Sequence, residues 1–145
     1  IRVLSANYAL YADLSSRIVA IMERFVEQVE VYSIDEAFLD LVGYEQLYPD
    51  LVEFARKLRA TIRQWTRIPV SVGIAPTKTL AKVANWYAKR QATADGVWLL
   101  NSPAGVEEAL RNFSVNELWG VGSRYATLLR RNDVRTAAQF AALPD

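Results

Sequence analysis

Two adjacent carboxylates, Asp35 and Glu36, lie between two short apolar runs and are the residues best suited to catalysis. The runs are 29–34 and 37–42, and their composition predicts two antiparallel strands joined by a tight turn at the carboxylates. Ser33 and Asp35 lie two positions apart, which predicts that both side chains point to one face of the first strand. Carboxylates at the rim of a sheet can bind hard divalent cations. An Asp-Glu pair is also common at turns, so this pattern alone favours a purely structural role.

The composition excludes several other chemistries. The 145 residues include no Cys and no His, which excludes disulfides, thiol nucleophiles, imidazole bases and metal sites built from those side chains. Any metal site must use oxygen ligands, which favours Mg²⁺, Mn²⁺ or Ca²⁺. No run of roughly 18 apolar residues is present, so we expect a soluble, cytoplasmic protein without a membrane span. The chain starts without Met, and we interpret it as a fragment of something longer.

The net charge of +1 hides a strong asymmetry along the chain. Residues 1–53 carry three basic and ten acidic groups, whereas residues 54–94 carry nine basic groups and no acidic ones. Residues 95–145 are nearly neutral, with five basic and six acidic groups. The basic segment indicates either a surface for a polyanion or a solvated face that balances the acidic first third.

Periodicity predicts the elements that position the carboxylates. Apolar spacing of three and four indicates helices near 10–25, 51–65, 77–89 and 103–111, with Trp65 and Tyr87 facing the core. Apolar runs at 70–75 and 97–100 indicate further strands, the first of them an inner strand. This order predicts an α+β sandwich of the ferredoxin-like, split βαβ kind. From residue 114 the pattern changes to short helices around a glycine turn.

A row of basic residues is predicted on the helix near 77–89. Lys78, Lys82, Asn85 and Lys89 are spaced by four, three and four, which places them on one helix face. A lysine there could neutralise the charge that develops on a leaving pyrophosphate. The spacing by itself favours a solvated lysine stripe.

The glycine turn is a candidate phosphate site. Gly120, Val121 and Gly122 permit a sharp turn with open backbone N–H groups, and Ser123 and Arg124 follow at the start of a helix. Such a site would grip a nucleic-acid backbone independently of its sequence. A lone Gly-x-Gly is usually just a turn, and we expect Trp119 to anchor it to its own helices.

Three blocks together resemble the Y-family, or translesion, DNA polymerases. They are Asn-Tyr-Ala-Leu-Tyr-Ala-Asp at 7–13, Tyr-Ser-Ile-Asp-Glu-Ala-Phe-Leu-Asp at 32–40 and Val-Gly-Ile-Ala-Pro-Thr-Lys-Thr-Leu-Ala-Lys-Val-Ala-Asn at 72–85. Within that family the chain is most similar to UmuC-like catalytic subunits of bacterial DNA polymerase V. The resemblance implies a ferredoxin-like palm with the end of the fingers at 1–112 and a helix-hairpin-helix thumb at 113–145, each incomplete.

The resemblance also implies roles for individual residues. Asp35 and Glu36 correspond to the catalytic ligands of two Mg²⁺ ions, for which Mn²⁺ can substitute. Lys82, and less strongly Lys78, corresponds to a nucleotide-binding position that holds the triphosphate. The segment 120–124, which is Gly-Val-Gly-Ser-Arg, corresponds to a DNA-binding position in the thumb. We interpret Asp40 as structural.

The implied reaction is nucleotidyl transfer from a dNTP to a primer 3′ end across damaged DNA, as part of DNA repair and the SOS response. Primer-template DNA, accessory subunits, a recombinase filament and a sliding clamp are the implied partners. The family also uses an upstream Asp and an aromatic steric gate, so we expect residues 1–145 alone to be inactive. Two alternatives stay open: a non-catalytic helix-hairpin-helix DNA-binding module, and a nucleotide cyclase on a palm-like sheet.

Overall fold

Six α-helices and four strands form most of the computed structural model, which describes residues 2–44, 46–91 and 95–144. In chain order they are α1 (Tyr8–Met22), β1 (Val29–Val31), β2 (Ala37–Leu39), α2 (Leu51–Thr66), β3 (Val72–Ile74), α3 (Lys78–Arg90), β4 (Val97–Leu99), α4 (Pro103–Asn112), α5 (Ser123–Arg131) and α6 (Ala137–Ala141), with a 3₁₀ turn at Val115–Glu117. The chain divides into two compact units, residues 1–70 and 71–145. The predicted α+β class is confirmed. The predicted domain division between residues 112 and 113 stays a prediction.

The first unit combines an antiparallel hairpin with two helices. Strands β1 and β2 pair in the register Val29↔Leu39 to Val31↔Ala37, so the predicted hairpin is confirmed. Ile21 of α1 and Phe54, Leu58 and Ile62 of α2 are buried together in one apolar cluster. These residues follow the three-and-four spacing that predicted both helices, because that spacing aligns side chains on one helix face.

Side-chain caps fix the starts of most helices. Asp50 accepts hydrogen bonds from the N–H groups of Val52 and Glu53 at the start of α2. Thr77 caps α3, and Ser102 caps α4 with Pro103 as its first residue. Each cap satisfies backbone N–H groups that have no partner within the helix.

In the second unit, β3 and β4 form a parallel pair connected by α3. A Cβ atom on Gly73 would lie 2.1 Å from the backbone N of Asn85 and 2.3 Å from the carbonyl O of Ala81. Glycine at position 73 therefore allows the backbones of strand and helix to touch. The hydroxyl of Ser71 also donates a 2.6 Å hydrogen bond to Oδ1 of Asn85.

The C-terminal segment completes the core of the second unit. Ser114 and Thr136 form an isolated antiparallel bridge, which brings Phe113 next to Ala137. These two buried residues belong to the same apolar cluster as Val83 and Tyr87 of α3. The hydroxyl of Tyr87 donates a 2.8 Å hydrogen bond to the carbonyl of Ala109, as a buried phenol requires.

Two expectations about the core were wrong. Trp65 is 54% exposed, and the Arg24 guanidinium lies 5.0 Å from its ring centroid, so the ring is covered by a charged side chain and not by the core. Among the described residues β3 pairs with β4 alone, so its apolar run reflects packing under α3 and not an inner position in a sheet.

No helix of the described ranges has the length and apolar character that a membrane span needs.

Candidate active site and nucleic-acid interface

The two carboxylates lie in a five-residue connection between β1 and β2, which we call the acidic loop (residues 32–36). The backbone N–H groups of Tyr32 and Ser33 both donate to the carbonyl of Glu36 at 3.0 Å. The last paired residues are Val31 and Ala37, and these hydrogen bonds close the loop immediately after that pair. The predicted two-residue turn was therefore wrong, because five residues connect the strands.

Ser33 and Asp35 contact each other, although not for the predicted reason. The strand ends at Val31, so the alternation of strand side chains does not apply to either residue. Instead the Ser33 hydroxyl donates a 2.7 Å hydrogen bond to Oδ1 of Asp35, and the Asp35 N–H lies 3.4 Å from the same hydroxyl oxygen. This turn holds one oxygen of an exposed carboxylate in place.

The remaining carboxylates of the hairpin differ in environment. Glu36 is half-buried and lies next to Asp35, at the end of the acidic loop. Asp40 lies beyond β2, and its Oδ1 accepts a 2.9 Å hydrogen bond from the Val42 N–H. That bond is a turn contact, which agrees with the structural role expected for Asp40.

The donor chemistry of the acidic loop fits a hard divalent cation. Mg²⁺ is commonly held by one or two carboxylates together with substrate phosphates and water. Asp35 and Glu36 provide two adjacent carboxylates, one of them exposed. No group of three acidic residues with metal-binding geometry occurs within the described ranges, so further oxygen ligands would have to come from substrate, water or other parts of the protein.

Helix α3 carries the predicted basic face. Lys78 is its first residue and is exposed, whereas Lys82 is half-buried one turn later. The Lys82 ammonium lies 5.4 Å from the ring centroid of Trp119. Asn85 shares this face, but its side chain contacts Ser71 at the start of the second unit.

The glycine turn (residues 120–122) agrees only in part with the predicted phosphate site. Gly120 has a φ of +91°, which favours glycine. The Val121 N–H donates to the Leu118 carbonyl at 2.9 Å, so it is not one of the open N–H groups that the sequence predicted. A Cβ at Gly120 or Gly122 would have no heavy atom within 4 Å, so both positions face open space. Gly122 is the N-cap of α5, and it provides no side-chain hydrogen bond.

The first N–H groups of α5 therefore lack the side-chain cap that the other helices of the described ranges have. Ser123 and Arg124 are the first two residues of α5, and both are exposed. Backbone N–H groups at a helix start attract anions because the helix dipole is positive there. The start of α5 is thus suited to a phosphate oxygen, and the basic residue Arg124 is in its first turn.

The sequence did not predict the contacts that α3 makes with residues 117–119, the segment that leads into the glycine turn. Glu117 Oε2 accepts a 3.2 Å hydrogen bond from Nε1 of Trp86, and Trp119 lies against Lys82. These pairs are far apart in sequence, and no local pattern indicates that they meet. Trp119 was expected to pack on the helices of its own turn, whereas the structure places it beside α3.

Comparison with known proteins locates these residues in a family. A sequence model of the impB/mucB/samB family matches residues 1–86, which include the acidic loop and Lys82. Protein UmuC of Salmonella typhimurium is 46% identical over 138 residues, which are 94% of this chain and 32% of that protein. DNA polymerase IV of Pelotomaculum thermopropionicum is 38% identical over 141 residues, which are 97% of this chain and 34% of that protein. The chain thus spans about a third of the length of these relatives.

Solved structures have the same fold. DinB from Sulfolobus solfataricus matches with a TM-score of 0.78 and 27% identity, covering 97% of this chain and 40% of that one. An insertion ternary complex of Dbh DNA polymerase matches with a TM-score of 0.74 and 30% identity, covering 90% of this chain and 37% of that one.

Proposed function

The chain belongs to the impB/mucB/samB family, and from this membership we propose that it forms part of a Y-family DNA polymerase that copies damaged DNA. The observation that carries the proposal is the acidic loop. It presents an oriented carboxylate, Asp35, next to a second one, Glu36, inside the segment that the family model matches. Lys82 lies in the same matched segment.

The proposed reaction is transfer of a nucleotide from a dNTP to a primer 3′ end, with release of pyrophosphate. Asp35 and Glu36 would hold two Mg²⁺ ions, which when bound lower the pKa of the attacking hydroxyl and stabilise the leaving oxygen. The Ser33 hydroxyl fixes the orientation of the Asp35 carboxylate before metal and substrate arrive. Lys82 places a positive charge for the triphosphate, where negative charge grows as pyrophosphate leaves, and Lys78 assists it.

The glycine turn would hold the primer-template duplex. The N–H groups at the start of α5 bind a phosphate oxygen, and Arg124 adds a charge beside it. Neither group contacts a base edge in this arrangement, so the grip is independent of sequence and sensitive to salt. This suits an enzyme that must follow DNA of any sequence.

Wider features of the proposal follow from the family. They are action during the SOS response, a cytoplasmic location near the chromosome, accessory subunits, a recombinase filament and a sliding clamp. We also propose that residues 1–145 alone do not extend a primer, because the described ranges contain no third carboxylate at the acidic loop. Activity is therefore measured in the natural gene product that contains this chain.

The decisive experiment replaces Asp35 by Asn and measures Mg²⁺-dependent primer extension. We expect a fall in kcat of at least about a hundredfold, because a charged ligand is lost from the reacting centre. The matched control is Asp40→Asn, which keeps an oxygen for the Val42 N–H and should retain activity within about twofold. Equal activities of the two variants would refute the assignment of the acidic loop.

A second candidate function, a DNA-binding module without catalysis, is favoured by the uncapped start of α5. It predicts that duplex binding is unaffected by EDTA and by Asp35→Asn. For either function, Arg124→Ala should reduce the slope of log affinity against log salt by about one. Arg111→Ala is the control, because that arginine is paired with Glu107 on α4. An unchanged slope for Arg124→Ala would exclude that residue from the DNA interface.

A further inference from the structure

Three residues of α3 face the segment that leads into the glycine turn. Lys82, Trp86 and Arg90 are spaced by four, so they form one row along the helix. The Lys82 ammonium lies over Trp119, and Trp86 Nε1 donates to Glu117.

Arg90 reinforces the second of these contacts. Its guanidinium carbon lies 4.2 Å from the ring centroid of Trp86, and one of its nitrogens is 4.0 Å from Oε2 of Glu117. The segment 117–119 is thereby held against two successive turns of α3. Its position relative to Lys82 is thus set by contacts on both sides of Leu118.

We propose that Trp119 is a positioning residue for Lys82, holding the ammonium group where it meets the triphosphate of the incoming nucleotide. This inference rests on the nucleotide-binding role of Lys82 in the proposed function. The glycine turn that follows Trp119 is the proposed DNA contact. The short segment that contains Trp119 and the glycine turn thus connects the proposed DNA contact to the position of the Lys82 ammonium, which neutralises charge on the nucleotide.

The physical reason lies in the flexibility of lysine. Its four-carbon side chain has many rotamers, and freezing one of them during nucleotide binding reduces affinity. An indole face attracts the ammonium through its negative quadrupole and covers the apolar stem.

The test compares Trp119→Leu, Trp119→Phe and Lys82→Ala in primer extension by the natural gene product. We expect Trp119→Leu to lower kcat/KM for the nucleotide by about three- to tenfold, the range expected for loss of one cation–π contact. Trp119→Phe should recover much of that loss, since it retains an aromatic face. In both Trp119 variants, affinity for primed duplex should stay within about twofold of that of the parent protein, because Gly120, Gly122 and Arg124 are unchanged.

A double-mutant cycle separates positioning from a general structural role. In the Lys82→Ala background, Trp119→Leu should have no further effect on kcat/KM, because there is no ammonium left to position. An equal loss in both backgrounds would overturn the proposal, as would normal kcat/KM in Trp119→Leu. If Lys82→Ala itself has no effect, the nucleotide-binding role of Lys82 fails, and the positioning role of Trp119 fails with it.

A matched control and a direct probe complete the design. Trp65→Leu removes a tryptophan that also lies beside a cation, Arg24, but in the first unit, and it should leave kcat/KM unchanged. In the 145-residue chain, the Lys82 ε-methylene protons should show an upfield ring-current shift in NMR spectra. Trp119→Leu should abolish the shift and Trp65→Leu should not. A shift that survives Trp119→Leu would contradict the contact.

Discussion

The acidic loop and helix α3 carry the two halves of the proposed chemistry, and they are held in different ways. The described hydrogen bonds of the acidic loop are local: Ser33 bonds Asp35, and the loop amides bond Glu36. By contrast, side chains of α3 form hydrogen bonds with residues far along the chain. Asn85 bonds Ser71, 14 residues earlier, and Trp86 bonds Glu117, 31 residues later. A catalytic group can therefore be oriented by its nearest neighbours, or only by the folded unit as a whole.

This difference predicts where substitutions act. Changes in the acidic loop should alter activity and leave stability nearly unchanged, because its side chains are largely exposed. Changes under α3 should lower stability first and activity as a consequence, because that region is close-packed.

The largest stability effect is expected for Gly73→Ala. The new methyl group would lie 2.1 Å from a backbone nitrogen of α3, which can yield only if helix and strand separate. We expect a loss of about 3 kcal/mol in the free energy of unfolding, measured by urea denaturation. Gly122→Ala is the control, since its φ is −76° with open space around it, and it should cost no more than about 1 kcal/mol, because Ala is a poorer N-cap than Gly. Equal stabilities would contradict the close approach.

Tyr87→Phe should have a smaller effect on the same region. It removes the buried hydrogen bond to the Ala109 carbonyl and leaves that acceptor without its phenol donor. The expected cost is about 1.5 kcal/mol in the free energy of unfolding. Tyr125→Phe, at a residue that is 67% exposed, should cost almost nothing. A Tyr87→Phe protein as stable as the parent would show that this bond contributes no net stability.

Ser33→Ala tests whether a local hydrogen bond orients the carboxylate of the acidic loop. It removes the hydroxyl that orients Asp35, and we expect about tenfold weaker Mg²⁺-dependent primer extension, equivalent to about 1.4 kcal/mol. Thermal unfolding should be almost unchanged, because the hydrogen bond is exposed. A fall in stability with unchanged activity would reverse the distinction between the two regions.

The smallest expected effect is a pH dependence located at Tyr87. Burial, and then the nearby charge of Glu108, raise the pKa of the Tyr87 phenol above its ordinary value of 10.0. The unfolded chain therefore loses this proton at lower pH than the folded chain, so stability is complete below about pH 10 and declines as the pH rises further. Unfolding free energies measured from pH 9 upward should decline less steeply for Tyr87→Phe. Identical slopes would contradict the raised pKa.

Much of the fold could be predicted because its signals are local. The helices begin within a few residues of their predicted starts, where Asp50, Thr77 and Ser102 supply caps. The antiparallel pairing at the acidic loop was also predicted correctly. The length of that loop was not, because the bonds that close it depend on backbone geometry and not on residue type.

The packing prediction for Trp65 failed because a residue on the apolar face of a helix can be covered either by the core or by a single charged side chain. Trp65 continues the apolar stripe of α2, yet it lies at the end of the helix and Arg24 covers it instead of the core. Helical periodicity says which side chains share a face, but not how far the opposing element extends along it. Tyr87 occupies the equivalent pattern on α3 and is buried as predicted, because Phe113 and Trp98 lie against it.

The amino-acid sequence by itself determined the chemistry available to this protein. Without His or Cys, catalysis must use carboxylates, Lys, Arg, Tyr, Ser or Thr, and the motifs at 32–40 and 72–85 indicated the polymerase family. Only the tertiary structure decided that Ser33 holds Asp35 through a turn, that Gly73 lets β3 touch α3, and that Trp119 meets Lys82. The physical reason is that residue type sets which interactions are possible, whereas the choice among them depends on backbone paths and on partners far along the chain.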